Sequence, residues 1–381
     1  LNFLKSELLA LDASALEAFL CLKKANSKGL HGGALYLVTS TLIVAKQFNG
    51  RQKMTVSRRT CLQAGVAAAA GAWLGASPSL ALASKAFPTR AIKLVVAFPA
   101  GGPTDLTMRQ LAENASKILG QPIIVENRPG ASGSLPAAQL QSTVADGYTI
   151  AQLPMSVMRL PFTTGLKWNP VDDLSYILNV TGYAFCMVAS TQSGLKNWQE
   201  VVAWAKANPG KLTIGNTGTY TSPHVTSAII AQQLGLDVVH VPYKGSAELM
   251  RATMAGEVMV GADTSAVIPY VDQGRMVALN VWTEKRLPTL PNTPTLIELG
   301  LPTTQYSPFG LVGPKGMPAD VLTRLHDAFK QAMEMDSYQV MLQRFEMLPI
   351  YMNSQSYRQF AVESTVKEKA ALAKLGPMAG A

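Results

Sequence analysis

From residue 92 onward the chain alternates between short unbroken apolar runs and longer segments with hydrophobic residues every three to four positions. Apolar runs bounded by turn residues read as buried strands, and the longer period reads as helices packed on them. A strand over 92–98 leads through a glycine turn to a helix from about 105 to 119, stopped by Gly120. A strand over 123–126, the loop 127–132, a helix through 143 and a strand over 148–152 follow. The same order then returns: strand 212–215, loop 216–221, helix 223–234 stopped by Gly235, strand 238–241, loop 242–246, a helix to 255 and strand 258–261. Strand–helix alternation with continuous apolar strands implies parallel sheets covered on both faces, hence two doubly wound α/β domains that bind ligands at the carboxyl ends of their strands.

Two further apolar segments, 182–189 and 309–313, are suited to carry the chain from one domain to the other and back, which makes a two-crossing hinge. Helices over 318–335, 337–345 and 354–374 would return to the first domain. The expected division is residues 84–187 plus 308–381 for domain 1 and residues 188–307 for domain 2.

Composition fits a well-packed globular chain, with 48% hydrophobic and 15% charged residues. The formal net charge of +9 misleads, because the first 83 residues hold nine Lys and Arg against three acids. The remainder carries 24 bases and 21 acids, a balance that gives no reason to expect nucleic acid as a partner. The basic residues Arg58 and Arg59, an alanine-rich apolar run over 61–76 and the small residues Ala81-Leu82-Ala83 form a secretory signal over 54–83, with cleavage expected after Ala83. The run is too short and alanine-rich for a span of about 20 strongly apolar residues. The string over 57–63 resembles a twin-arginine signal with Cys61 where phenylalanine is usual, although paired arginines also occur in Sec signals. Residues 1–53 match no targeting pattern, and an over-extended translation start is the reading adopted for them. Cys186 is the one cysteine beyond the signal, so no disulfide within the mature chain is expected.

The turn running from Phe98 to Asp105 ends on a helix start, where backbone N–H groups can hold a carboxylate without a cationic side chain. Gly101 and Gly102 let the backbone approach a ligand, and Thr104 is placed to cap the helix. In the second half Ser222 is placed as the cap and Pro223 as the first helical residue. Two positive helix ends converging on one cleft favour a small carboxylate; neither turn has the lysine of a P-loop or the three spaced glycines of a dinucleotide site. Ser156, Asp263 and Thr264 end the third strands, where they either meet ligand or cap the next turn. Phe98 would wall the pocket or join the core. His224, in the first helical turn, is the one histidine near the proposed site. Tyr243, Lys244 and Arg128 read as surface or structural residues. No catalytic residue, metal site or cofactor is expected: the histidines lack metal-ligand spacing, no Gly-x-Ser-x-Gly elbow is present and Cys186 lies within an apolar strand.

Five ordered motifs, over 98–105, 125–131, 146–149, 240–245 and 291–295, together resemble the periplasmic receptors of tripartite tricarboxylate transporters, the Bug proteins. The likeness spans nearly all of residues 86–378. It implies a type II periplasmic-binding-protein fold in the periplasm that closes over a small organic acid and delivers it to membrane permease subunits; a monomer is expected. The family's two ligand-gripping loops correspond here to Gly101, Gly102, Thr104 and Asp105, and to the stretch 217–222, with Thr217, Thr219, Thr221 and Ser222 as the candidate contacts. A secreted α/β enzyme acting on a carboxylate and a ligand-presenting sensor partner are the alternative readings.

Overall fold

In the computed structural model, which describes residues 87–376, each sequence repeat folds into a five-stranded sheet of the same plan. The readings for residues 1–53 and 54–83 lie outside the described residues. In the first repeat, β1 (Ile92–Val96) leads to α1 (Pro103–Leu119), β2 (Ile123–Asn127), α2 (Leu135–Leu140) and β3 (Thr149–Leu153). A single-turn α3 (Leu160–Thr163) precedes β4 (Leu174–Tyr183), which runs into β5 (Phe185–Ser190) and α4 (Trp198–Ala207). The second repeat follows as β6 (Leu212–Asn216), α5 (Ser222–Leu234), β7 (Val238–Pro242), α6 (Ser246–Ala255) and β8 (Val260–Thr264), then α7 (Ile268–Asp272) and β9 (Met276–Val281). Finally β10 (Ser307–Pro314) and three helices, α8 (Ala319–Met333), α9 (Asp336–Arg344) and α10 (Ser354–Leu375), close the chain.

The strand orders are β2-β1-β3-β10-β4 and β7-β6-β8-β5-β9. Within each, the three repeat strands pair in parallel, as their apolar runs suggest. The fourth strand of each sheet corrects the expectation of wholly parallel sheets, because β10 and β5 pair antiparallel to both neighbours. The cause is the crossing itself. The apolar segment expected as one strand over 182–189 is two strands broken at Ala184, and β5 enters the second sheet directly, without a helical crossover to set it parallel. β10 enters the first sheet in the same way, so each sheet receives its fourth strand from the crossing chain.

Aromatic side chains tie the two crossings together. Phe309 stacks on Tyr183 with ring centroids 4.5 Å apart, Tyr183 lies 5.9 Å from Phe185, and Phe185 lies 5.5 Å from Trp282. All four are buried in one apolar core shared by both lobes. The backbone amide of Trp282 donates to Phe185 O and that of Gln305 to Trp282 O, which keeps the crossing strands in register.

The C-terminal helices cover the first sheet, with α8 and α9 packed along α1 and α10 against β4. The far end of α10 goes further than the sequence suggests. Leu372 packs on Val225, and Gln232 Nε2 of α5 donates to Lys374 O.

Gly310 in β10 has no room for a side chain: a Cβ would fall 2.1 Å from Leu178 O and 2.6 Å from Asn179 Cα, both backbone atoms. Gly310→Ala is expected to destabilise the protein by about 3 kcal/mol, which a urea unfolding midpoint measures against Gly102→Ala, whose Cβ would make only an ordinary 3.6 Å contact.

Candidate functional site

The first corner is built by Asp105. Its Oδ2 accepts the Gly101 amide at 2.8 Å, its Oδ1 accepts Asn127 Nδ2 at 2.8 Å, and Arg109 Nε lies 2.9 Å from Oδ1. Burial works to raise the Asp105 pKa, but the bonds from Arg109, Gly101 and Asn127 together hold it below the usual carboxylate range. Gly101 takes φ +81°, which a residue with a Cβ adopts only with strain. Asp105 is thus spent on shaping the turn.

The helix begins two residues earlier than its apolar period suggests. Gly102 is the N-cap, and no side chain caps α1 among the described residues. The expected capping role of Thr104 is therefore corrected: its hydroxyl is bonded to the Tyr183 hydroxyl at the start of the crossing, and a residue inside the helix cannot cap it. The second corner needs the same correction by one residue. Thr221 is the N-cap of α5, Ser222 is the first helical residue and Pro223 the second.

The loop before α5 is pinned from several sides. Asn216 Oδ1 accepts the Gly218 amide, Thr221 Oγ1 donates to Gly218 O, and His224 Nδ1 accepts the Tyr220 amide at 3.0 Å. Tyr220 takes φ +59°, and its carbonyl accepts Arg159 Nη1 at 3.0 Å. Arg159 belongs to the first lobe and is 1% exposed. Its guanidinium grips Glu368 of α10 in a two-point pair at 2.7 and 2.9 Å and also reaches Ser222 Oγ. Nothing in the sequence singled it out beyond a lone arginine among apolar neighbours.

The two corners face one cavity of about 300 Å³ at the carboxyl ends of the parallel strands. Of the sequence candidates, Phe98, Gly102, Thr104, Ser156, Thr217, Thr221, Ser222, Asp263 and Thr264 line it. Gly101, Asp105, Thr219 and His224 do not. Ser156 gives its proton to Ser132 O at 2.6 Å, and Thr264 Oγ1 accepts the Ala266 amide, so both also serve the local turns. Sequence reasoning missed the loop after β7. Lys244, Ser246 and Glu248 line the cavity, and the rule that placed the other loops at carboxyl strand ends applies equally to this one. Tyr183 and Ser307, from the two crossings, complete the wall.

Burial sets the electrostatics. Asp263 is fully buried, and desolvation pushes its pKa up to about 7 against hydrogen bonds from the Thr264 amide and Ser246 Oγ. His224 is pulled down to about 4 by burial first, then by His240 and Arg159. Burial also lowers His240, whose ring lies 4.7 Å from that of His224.

A model of the tripartite tricarboxylate transporter family receptor matches residues 107–376. The chain belongs to this family. A relative in Cupriavidus necator, described as a UPF0065 protein in the gbd 5' region, is 53% identical over 320 residues, covering 84% of this chain and 98% of that protein. Protein BugT of Bordetella pertussis is 28% identical, covering 65% of this chain and 78% of BugT. Among solved structures, one of a periplasmic transporter shares 28% identity at a TM-score of 0.72, covering 76% of this chain and 98% of that one. R. palustris Rpa4515, solved with adipate, shares 26% at 0.72, again covering 76% and 98%. These comparisons and the two lobes establish a periplasmic-binding-protein fold for this receptor chain.

Arg159→Met leaves Glu368 unpaired and the Tyr220 carbonyl free. The receptor is expected to lose about 3 kcal/mol of stability by denaturant unfolding, whereas Glu368→Gln, which keeps an acceptor for the guanidinium, should lose less. The buried acid Asp263 and the buried base His224 oppose each other with pH. The depressed His224 pKa favours unfolding as pH falls from 6.5 to about 4, because the unfolded chain binds the proton first. The raised Asp263 pKa contributes stability present below 3.8 and lost as pH rises through about 7. Asp263 therefore offsets part of the acid sensitivity that His224 and His240 confer across this window. His224→Asn, which keeps an acceptor for the Tyr220 amide, should gain relative stability toward pH 4.5, by up to on the order of 3 kcal/mol in thermal or urea melts.

Proposed function

We propose that this chain is a periplasmic receptor that closes on one small carboxylated organic compound and delivers it to the membrane permease subunits of a tripartite tricarboxylate transporter. The carrying observation is that two helices from opposite lobes, α1 and α5, end without side-chain caps on one shared cavity. Orphan amides and the positive helix ends suit a carboxylate, and a ligand touching both lobes favours closure because only the closed form offers both sets of contacts. The adipate held by a structural neighbour supports the same chemistry. The protein would act as a monomer after export and removal of its leader at Ala83. Membership of a family of receptors supports binding without turnover.

Native mass spectrometry of protein purified without added ligand should reveal a retained small acid, recovered chemically unchanged after prolonged incubation. Recovery of a converted product would support the secreted-enzyme reading instead. Gly102→Pro removes an amide at the first corner, and the backbone there already has φ −80°, within the range of proline. Affinity for the retained acid by calorimetry should fall roughly tenfold or more, with thermal stability nearly unchanged. Unaltered affinity would place the carboxylate elsewhere.

A further inference from the structure

Eight buried side-chain polar atoms have no hydrogen-bond partner among the described residues, and one alone, Asp263 Oδ2, belongs to a residue lining the cavity. Native interiors leave few such atoms, and an unpaired carboxylate oxygen is among the costliest to bury. The other oxygen is fully used: Oδ1 accepts Ser246 Oγ at 2.9 Å and the Thr264 amide at 2.7 Å. These two bonds fix the carboxylate plane and leave Oδ2 as the open oxygen of this carboxylate. The fold itself does not demand an acid here. Leu94 pairs with Ile150 in the first lobe as Ile214 pairs with Val260 in the second, and three residues further along each strand the counterpart of Asp263 is the buried Leu153.

We infer that Asp263 Oδ2 forms a second subsite, which takes a hydroxyl or ammonium donor of the ligand while the uncapped helix ends hold its carboxylate. The inference rests on the proposed reading of the cavity as a carboxylate site and narrows the ligand class to hydroxy or amino acids. Plain diacids leave Oδ2 unpaired. A ligand carboxylate placed against it would instead meet like charge, unless a proton intervened. That proton would sit on Oδ2, since Oδ1 already accepts two bonds, and it would turn the subsite from acceptor to donor. The groups facing Asp263 are Ser246 and the Thr264 amide and hydroxyl, with Tyr183 and Cys186 on the crossing strands. Burial keeps both of those protonated, and Lys244 and Glu248 line the same cavity.

Three matched probes test this: succinate, 2-hydroxysuccinate and 2-aminosuccinate, titrated calorimetrically into the full-length mature protein at about pH 8. The hydroxy or amino acid should bind roughly tenfold or more tightly than succinate, as expected for a hydrogen bond to a charged acceptor. The preference should shrink as pH falls toward about 6, a readout that needs no variant. In Asp263→Asn the ratio of hydroxy- or amino-acid affinity to succinate affinity should fall to about one. Equal binding of all three probes, a preference independent of pH, or a preference intact in Asp263→Asn would overturn the inference and leave the receptor reading standing. If no probe binds and native mass spectrometry finds no retained acid, the receptor reading itself falls, and the inference with it.

Discussion

Backbone amides at the first turn of a helix have no partner within that helix, and a protein that declines to cap them must offer them to water or to a guest. Both α1 and α5 decline. Each has proline in its first two positions, where a lost N–H costs nothing, and each begins on a cavity wall rather than under a capping side chain. The side chains that sequence would nominate as caps are turned to other work, Thr104 toward Tyr183 and Ser222 toward Arg159 and Ser307. The polar side chains around the corners hold the backbone in place, and the backbone does the presenting.

This arrangement explains why the strongly held charges stand behind the site. Asp105 stabilises a left-handed glycine and Arg159 anchors a left-handed tyrosine, so each lobe keeps its turn open by an ionic group that never reaches the cavity. Arg159 also joins three parts of the fold, the strand-end turn of the first lobe, α10 and the loop before α5. The guanidinium suits this role because its planar fork satisfies a carboxylate and a carbonyl at once.

Local order was legible in the sequence where it depends on nearest neighbours. The strand–turn–helix repeats, the glycine stops at Gly120 and Gly235 and the convergence of two turns all follow from periodicity and punctuation, and they are found in the structure. The antiparallel entries of β5 and β10 were hidden, because strand direction in a sheet is a long-range property that apolar runs do not encode. Cap assignments slipped by one or two residues where a tertiary bond, Thr104 to Tyr183, outcompeted the local one. Lys244 is exposed, as a charged loop residue reads, and its place in the cavity lining follows only once the strand end it succeeds is recognised as a cavity wall.

The placement of β10 has a consequence for how the molecule comes into being. This strand lies between β3 and β4, in the interior of a sheet whose other members precede it by more than a hundred residues. A nascent chain leaves the ribosome from its N-terminus, so the earliest sheet stays incomplete, with two strands unjoined, until the whole second lobe has been made. Lobe one is in this sense finished last, and its completion requires a pairing across more than a hundred residues that two tandem, self-contained lobes would avoid.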